Sequence, residues 1–419
     1  MKILLSAYAC EPGRGTELGV GWNTVREVAR YHKVWVLTRP DDGREAIEAE
    51  LAQNPVPNLH FVYFTLPIGG AGWKWGLGAF QIHYYLWQIE AYFVARKLHR
   101  EIGFDIVHHV TFVKYSTPSF LSLLPIPFIF GPVGGGEVAP KPFYRDFSLK
   151  AKLYEFLRDL VRWLGETDLF TYITVRRSAL IWATTEDTAK RLKAMGGKNV
   201  QVLSQLGLLP EEVEQLGQFS LSAPVPLRFI SIGRFLHWKG FHLGLQAFSQ
   251  ANLPPEAEYW IVGKGPEEKA LRTLATNLGI ASQVKFFNEM SRTDLMNKLG
   301  TCLALVHPSL HDSGAFVCLE AMAAGCPVIC LDLGGPSVQV TEATGFKISA
   351  KNPNQAVSEL SAAMTRLATE PELRSRLGTA GRQRVNECFN WSTKGRFLSQ
   401  VYKTLRSPQG ATNANFDNS

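Results

Sequence analysis

Two carboxylates, Asp312 and Glu320, stand in the run "HPSLHDSGAFVCLEAMAAGCPVICLDLGG", one just before and one just inside a predicted helix. Between them, Ser313, Gly314, Ala315 and Phe316 fall where that helix starts. Their backbone N–H groups lack intrahelical partners there and suit phosphate oxygens. Glu320 is placed to accept hydrogen bonds from vicinal ribose hydroxyls, and Asp312 from those of a sugar. An ordinary helix N-cap is the structural alternative for Asp312. Upstream, "SIGRFLHWKGF" sets Arg234 and Lys239 between a strand and a helix, where a planar fork and a point charge clamp a diphosphate. In "IVGKGPEE", Gly263 and Gly265 allow backbone to approach a planar base.

These groups need strands that end together. Short apolar runs alternate with helical patterns along the whole chain, the signature of parallel α/β units. One series runs "KILLSAY", "KVWVLTR", "HFVYFTL", "DIVHHV", "PFIFGP", "LIWATT", "VQVLSQ". A second runs "LRFISIGR", "EYWIVGKG", "QVKFFNE", "CLALVHPS", "PVICLDLGG", "TGFKIS". The stretch between them, "LLPEEVEQLGQFSLSAPVP", reads as a linker. The expected organisation is an N-terminal domain over 1–210, a C-terminal one over 211–389, a helix about 390–406 packing back on the first, and a disordered tail at 407–419.

Two segments stand out. Residues 80–98 are apolar nearly all round, as in a buried or membrane-touching helix. Residues 147–164 place Leu149, Leu153, Phe156, Leu157, Leu160, Val161 and Leu164 on one face, with Lys150, Lys152, Arg158 and Arg162 off it. This stripe reads as an amphipathic helix packed on its own domain; the other reading is a helix lying on an anionic bilayer.

At 419 residues, 46% hydrophobic and 19% charged, the chain is globular and large enough for two cores. A net charge of +7 with no basic stripe excludes a nucleic-acid binder and suits anionic ligands or an anionic membrane surface. The six cysteines follow no disulfide or zinc spacing, which fits a reducing cytoplasm. No run is apolar for long enough to cross a bilayer. There is no D-x-D, P-loop, G-x-S-x-G or His/Cys cluster, so no metal or cofactor is expected.

The order "GR…K-G", "VG-G-P", "HPS…(acid)-x7-E-A-M-A-x-G-x-P-V-I" resembles the C-terminal domain of the retaining glycosyltransferases of family 4, whose fold is GT-B: two Rossmann-like α/β domains facing a cleft. The likeness takes in the first strand and "FNW" near 389–391, and so most of the chain. It implies that Arg234 and Lys239 bind the donor diphosphate, that Asp312 meets the donor sugar, and that Glu320 holds the ribose. Where the family usually has Glu, Gly, Phe, Gly, this chain has Asp312, Ser313, Gly314, Ala315. "EPGRGTELGVGW" resembles the family's glycine loop, with Gly15, Thr16 and Gly19 beside donor and acceptor. The family's histidine maps onto His109 in preference to His108. "GPVGGGE" supplies Gly134 and Gly135 as backbone lining the acceptor cleft beside Glu137.

The resemblance implies retaining, metal-independent hexosyl transfer from a nucleotide-sugar, on family frequency a UDP-sugar. The acceptor hydroxyl would belong to a glycan or lipid, such as a membrane glycolipid or polysaccharide precursor. A small soluble acceptor such as a sugar phosphate is the alternative, as in sucrose-phosphate synthases. Two other classes, a nucleotide-sugar epimerase and a non-catalytic sugar-nucleotide binder, share the fold.

Overall fold

A computed structural model describes residues 1–41, 43–66, 77–219, 226–288 and 290–406. The chain forms two compact units. One comprises Met1–Gly136, Arg158–Leu206 and the chain from Trp391 on; the other comprises Glu137–Leu157 and Gly207–Asn390.

Each apolar run becomes a strand. The first unit holds β1 (Lys2–Ala7), β2 (Lys33–Thr38), β3 (Leu59–Tyr63), β4 (Ile106–Thr111), β5 (Phe128–Val133), β6 (Leu180–Ala183) and β7 (Val200–Val202). They form a seven-stranded sheet in the order β3-β2-β1-β4-β5-β6-β7, all pairs parallel. Every residue of β4, β5 and β6 is buried, as strands covered on both faces require. The strand order reverses direction between β1 and β4, so the loops after these strands leave the sheet at its switch point.

The second unit holds β8 (Arg228–Ile232), β9 (Glu258–Val262), β10 (Val284–Phe287), β11 (Ala304–His307), β12 (Val328–Leu331) and β13 (Gly345–Ile348). Their order, β10-β9-β8-β11-β12-β13, puts its switch point between β8 and β11. The loops bearing Lys239 and Asp312 follow these two strands. Residues 137–157, expected in the N-terminal domain, belong here because Phe143, Phe147 and Ala151 enter this unit's core. The expected linker is helical over Pro210–Gly217. Its residues 220–225, like the expected tail at 407–419, lie outside the described residues.

The C-terminal helix Trp391–Arg406 packs on the helix Thr16–Ala29. Gly395 permits this approach: a Cβ there would stand 2.7 Å from Glu27 Cβ. Tyr402 Oη lies 2.7 Å from His108 Nδ1, and His108 Nε2 lies 2.6 Å from the Gly131 carbonyl. His108 therefore donates to Gly131 and accepts from Tyr402, which makes it a structural residue.

The helix Leu77–Ile102 buries Tyr84, Trp87, Ala91 and Ala95 but leaves Ile82, Leu86 and Phe93 exposed. The helix Leu149–Thr167 overturns the expectation that its apolar stripe packs inward. Its buried side chains are Ala151, Glu155 and Arg162, whereas Leu149, Leu153, Phe156, Leu157, Leu160, Val161 and Leu164 are exposed. The cause is Glu155, fully buried in the second unit, where its carboxylate accepts from His237 Nε2 at 2.9 Å and His311 Nε2 at 3.0 Å. A buried carboxylate with two imidazole partners turns the polar face inward. No described helix is long and apolar enough to cross a membrane.

The C-terminal attachment is testable. Tyr402→Phe leaves His108 Nδ1 buried without a donor and is expected to destabilise the protein by about 1–3 kcal/mol in urea unfolding.

Candidate active site

The site is built in the second unit, at the C-terminal ends of two adjacent strands. β8 runs into Gly233 and Arg234, then a short turn over His237–Lys239, and Gly240 opens the helix Phe241–Gln250. β11 ends at His307 and runs through the acid loop into the helix Phe316–Ala323. The two loops touch: Lys239 Nζ lies 2.5 Å from Asp312 Oδ2, and His307 Nε2 lies 3.4 Å from the same oxygen. Burial would push the Asp312 carboxyl up, but Lys239 and His307 pull it down to about 2, so it is ionised at neutral pH. Burial lowers the pKa of His307, against the pull of Asp312.

The backbone of the acid loop is fixed from the other side. Gly335 N–H donates to the Asp312 carbonyl at 2.7 Å, and Gly334 adopts a left-handed φ of 59° with its Cβ position only 2.3 Å from that oxygen. A side chain at Gly334 would displace the loop. Asp312 is not the N-cap; Ala315 is, with no side-chain cap, so the first N–H groups of the helix from Phe316 are left to other acceptors. Ser313 donates to Glu137 Oε2 at 2.8 Å, which puts the Glu137 carboxylate beside the acid loop.

Glu320 lies one turn into that helix and is buried. Burial pushes its carboxyl up to about 7, Arg292 opposes the rise, and Glu212 adds to it. Arg292 bridges both acids, at 3.0 Å to Glu320 and 2.8 Å to Glu212, and its guanidinium lies 5.3 Å from the centre of the Phe316 ring. Arg234 is exposed, and among the described residues no acid lies within ion-pair distance of it. Gly263 and Gly265 also meet a packing requirement within the chain. A Cβ at Gly263 would stand 2.0 Å from the Gly233 carbonyl, so the turn after β9 is glycine because it packs on the turn after β8.

The first unit gathers its own polar groups where β1 and β4 end. Gly15 caps the helix that begins at Thr16, and Gly19 lets the glycine loop fold back, its Cβ position 2.0 Å from the Arg14 carbonyl. His109 is buried; its Nε2 lies 3.3 Å from Tyr84 Oη and 3.4 Å from the Phe112 carbonyl, and among the described residues its Nδ1 has no partner. Burial takes its pKa down to about 4, so the ring is neutral. Glu17 accepts from Val113 N–H at 2.9 Å, and burial raises its carboxyl to about 7. Lys114 donates to Gln81 at 2.6 Å. Gly134 accepts from Tyr115 N–H, and Gly135 takes a φ of 96° with open space around its Cβ position.

Of the residues marked from sequence, the structure brings together Lys239, Asp312, Ser313 and Glu137, the last read there as part of the acceptor cleft; Arg292, His307, Glu17 and Lys114 were unmarked. His307 had a signal, since it opens the "HPS" that precedes the acid. Arg292 had none, because it arrives from a helix distant in sequence.

Residues 217–384, most of the second unit, match the family model described as Glycosyl transferases group 1. A Corynebacterium glutamicum protein named GDP-mannose-dependent monoacylated alpha-(1-6)-phosphatidylinositol monomannoside mannosyltransferase is 32% identical over 157 residues, covering 36% of this chain and 40% of that protein. The chain spans less than half the length of the curated relatives it matches first. As a fold the likeness runs along nearly the whole chain. Sucrose-phosphate synthase from Thermosynechococcus elongatus superposes with a TM-score of 0.59 at 18% identity, covering 96% of this chain and 98% of that one. Anabaena HepE in complex with UDP-glucose gives 0.57 at 17%, covering 96% and 100%. The chain has the GT-B fold.

The Lys239–Asp312 pair has a pH signature. Asp312 has a folded pKa below its unfolded value, so the pair's contribution is fully present above the ordinary aspartate range and is lost as pH falls through about 2. Lys239→Met is expected to cost about 2 kcal/mol or more near neutral pH in urea unfolding, with the gap to wild type narrowing from about pH 4 downward.

Proposed function

We propose that the second unit binds a nucleotide-diphosphate sugar, with a UDP-sugar as donor, and that the chain transfers the hexosyl group to an acceptor hydroxyl with retention of configuration. The observation that carries this reading is the convergence of Lys239, Asp312 and the uncapped start of the Phe316–Ala323 helix at one switch point. Cations and N–H groups there suit a diphosphate, and a carboxylate suits sugar hydroxyls. The group 1 family match and the named activity of the mannosyltransferase relative support it.

In the reaction, the bond between the anomeric carbon and the diphosphate oxygen breaks while the acceptor oxygen bonds that carbon from the same face. The acceptor's proton passes to the departing phosphate oxygen. Arg234 and Lys239 offset the charge that develops on the diphosphate, worth most in a site that excludes water. No metal is needed in this scheme. Asp312 and Glu320 hold the sugar and ribose, so that orientation is settled on binding. The acceptor is proposed to bind the first unit near His109, Glu17 and the glycine loop, and to be a glycolipid or polysaccharide precursor at the inner face of the cytoplasmic membrane.

Two outcomes are expected. In thermal melts with UDP-, GDP- and ADP-sugars and no divalent metal, one nucleotide class raises the melting temperature of wild type and not of Arg234→Ala; no shift with any of them would remove the donor assignment. Because the raised Glu320 carboxyl binds ribose only when ionised, nucleotide affinity is expected to strengthen about tenfold from about pH 6 to about pH 8. Glu320→Gln flattens that profile.

A further inference from the structure

The segment Glu137–Leu157 belongs to the second unit but contributes no strand to either sheet. Phe143, Phe147 and Ala151 root it in the second core, and Arg145 donates to Asn354 Oδ1 at 2.7 Å. Near its two ends stand glutamates that are buried, Glu137 2% and Glu155 0% exposed. A carboxylate leaves water only where hydrogen bonds meet it, and here the acid loop supplies them. Ser313 donates to Glu137 Oε2 at 2.8 Å, and His311 Nε2 lies 3.0 Å from Glu155 Oε1. Asp312 stands between these two residues. Both of its chain neighbours are therefore held by one segment, from partners 156 and 176 residues away in sequence.

The same segment reaches the turn that carries Lys239. His237 Nε2 lies 2.9 Å from Glu155 Oε1, so a single oxygen joins the loops after β8 and β11. Rings extend the joint: Tyr154 stacks on Trp238 at 5.2 Å between centres, and Trp238 on His311 at 5.1 Å. The Trp238 carbonyl accepts from Leu310 N–H at 2.7 Å and from Ser309 Oγ at 3.3 Å. Lys239 directly follows Trp238, and Asp312 directly follows His311, so the joint fixes the backbone from which each charged partner springs. Apolar side chains would fill such a core with no charge to desolvate. Two buried glutamates directed at one loop therefore serve its geometry and not bulk packing.

We infer that Glu137 and Glu155 are positioning residues of the donor site: their segment clamps the acid loop on both sides of Asp312 and sets that carboxylate against Lys239. The inference rests on the donor reading above, but its first test needs no donor. In the full chain without ligand, the Asp312 carboxyl is titrated by carbon-13 NMR in wild type, Glu155→Gln, Ser313→Ala and Ser313→Thr. Releasing the clamp loosens the Lys239–Asp312 pair, so Asp312 is expected to rise from about 2 toward the ordinary aspartate value of about 4 in Glu155→Gln and Ser313→Ala. Removing the Glu155 charge would by itself act the other way, so a rise reports geometry. Ser313→Thr keeps the hydroxyl and should match wild type. Affinity for UDP, measured by calorimetry on the folded chain, is expected to fall about tenfold in Glu155→Gln and about threefold in Ser313→Ala. An Asp312 titration unchanged in these two variants overturns the inference, even where urea unfolding finds them destabilised, because the glutamates would then only support the fold. UDP affinity that both leave unchanged overturns it too. Should wild type bind no UDP, the donor reading fails and the carboxyl titration alone decides the clamp. Should Glu155→Gln not fold, Ser313→Ala and its threonine control decide it.

Discussion

A carboxylate shielded from water needs a counter-charge, and in the second unit Asp312 takes Lys239. The pair joins the loops after β8 and β11, the two strands between which the sheet changes direction. Removing either partner leaves a partly buried charge alone, far costlier than the modest net worth of the pair. That one requirement explains several others. Gly240 is left-handed at a φ of 68°, and its missing side chain lets the Pro308 carbonyl come within 1.9 Å of its Cβ position, so the two loops lie close enough to pair. Gly334 yields room for the carbonyl of Asp312 itself. The arrangement is ready-made for an anionic ligand that takes Lys239 from the carboxylate and leaves the carboxylate for hydroxyls.

Much of this was legible in the sequence. Every quoted apolar run is a strand in the sheet where its series placed it, most plainly at β5 and β6, whose residues are buried throughout and read as nearly unbroken apolar segments. The carboxylate and cation positions were legible too, since each sits directly after such a run. What the sequence concealed depends on contacts between distant residues. Arg292 reaches Glu320 from a helix that no motif marks. Gly263 and Gly265 read as ligand-approaching backbone, and the chain's own Gly233–Phe235 turn also demands them. Residues 137–157 carry no boundary signal, and only Phe143 and Phe147 in the second core reveal where they belong.

The helix Leu149–Thr167 marks the limit of periodicity as a guide. Its 3.6-residue pattern correctly gave a helix with one apolar face, but a pattern cannot say which face is inside. Here Glu155 decides it, by meeting His237 and His311, and the same contact steadies His311 next to Asp312. The residue that orients the helix therefore also braces the acid loop.

The central claim is that Lys239 is a counter-ion on loan to Asp312 until a diphosphate arrives. Carbon-13 NMR of labelled aspartate carboxyls, titrated with pH in the presence and absence of the sugar nucleotide that binds, reads this directly. The account predicts that Asp312 titrates at about 2 in the free protein and moves upward when the ligand draws Lys239 away. An Asp312 pKa that stays where it was in the saturated complex would contradict it.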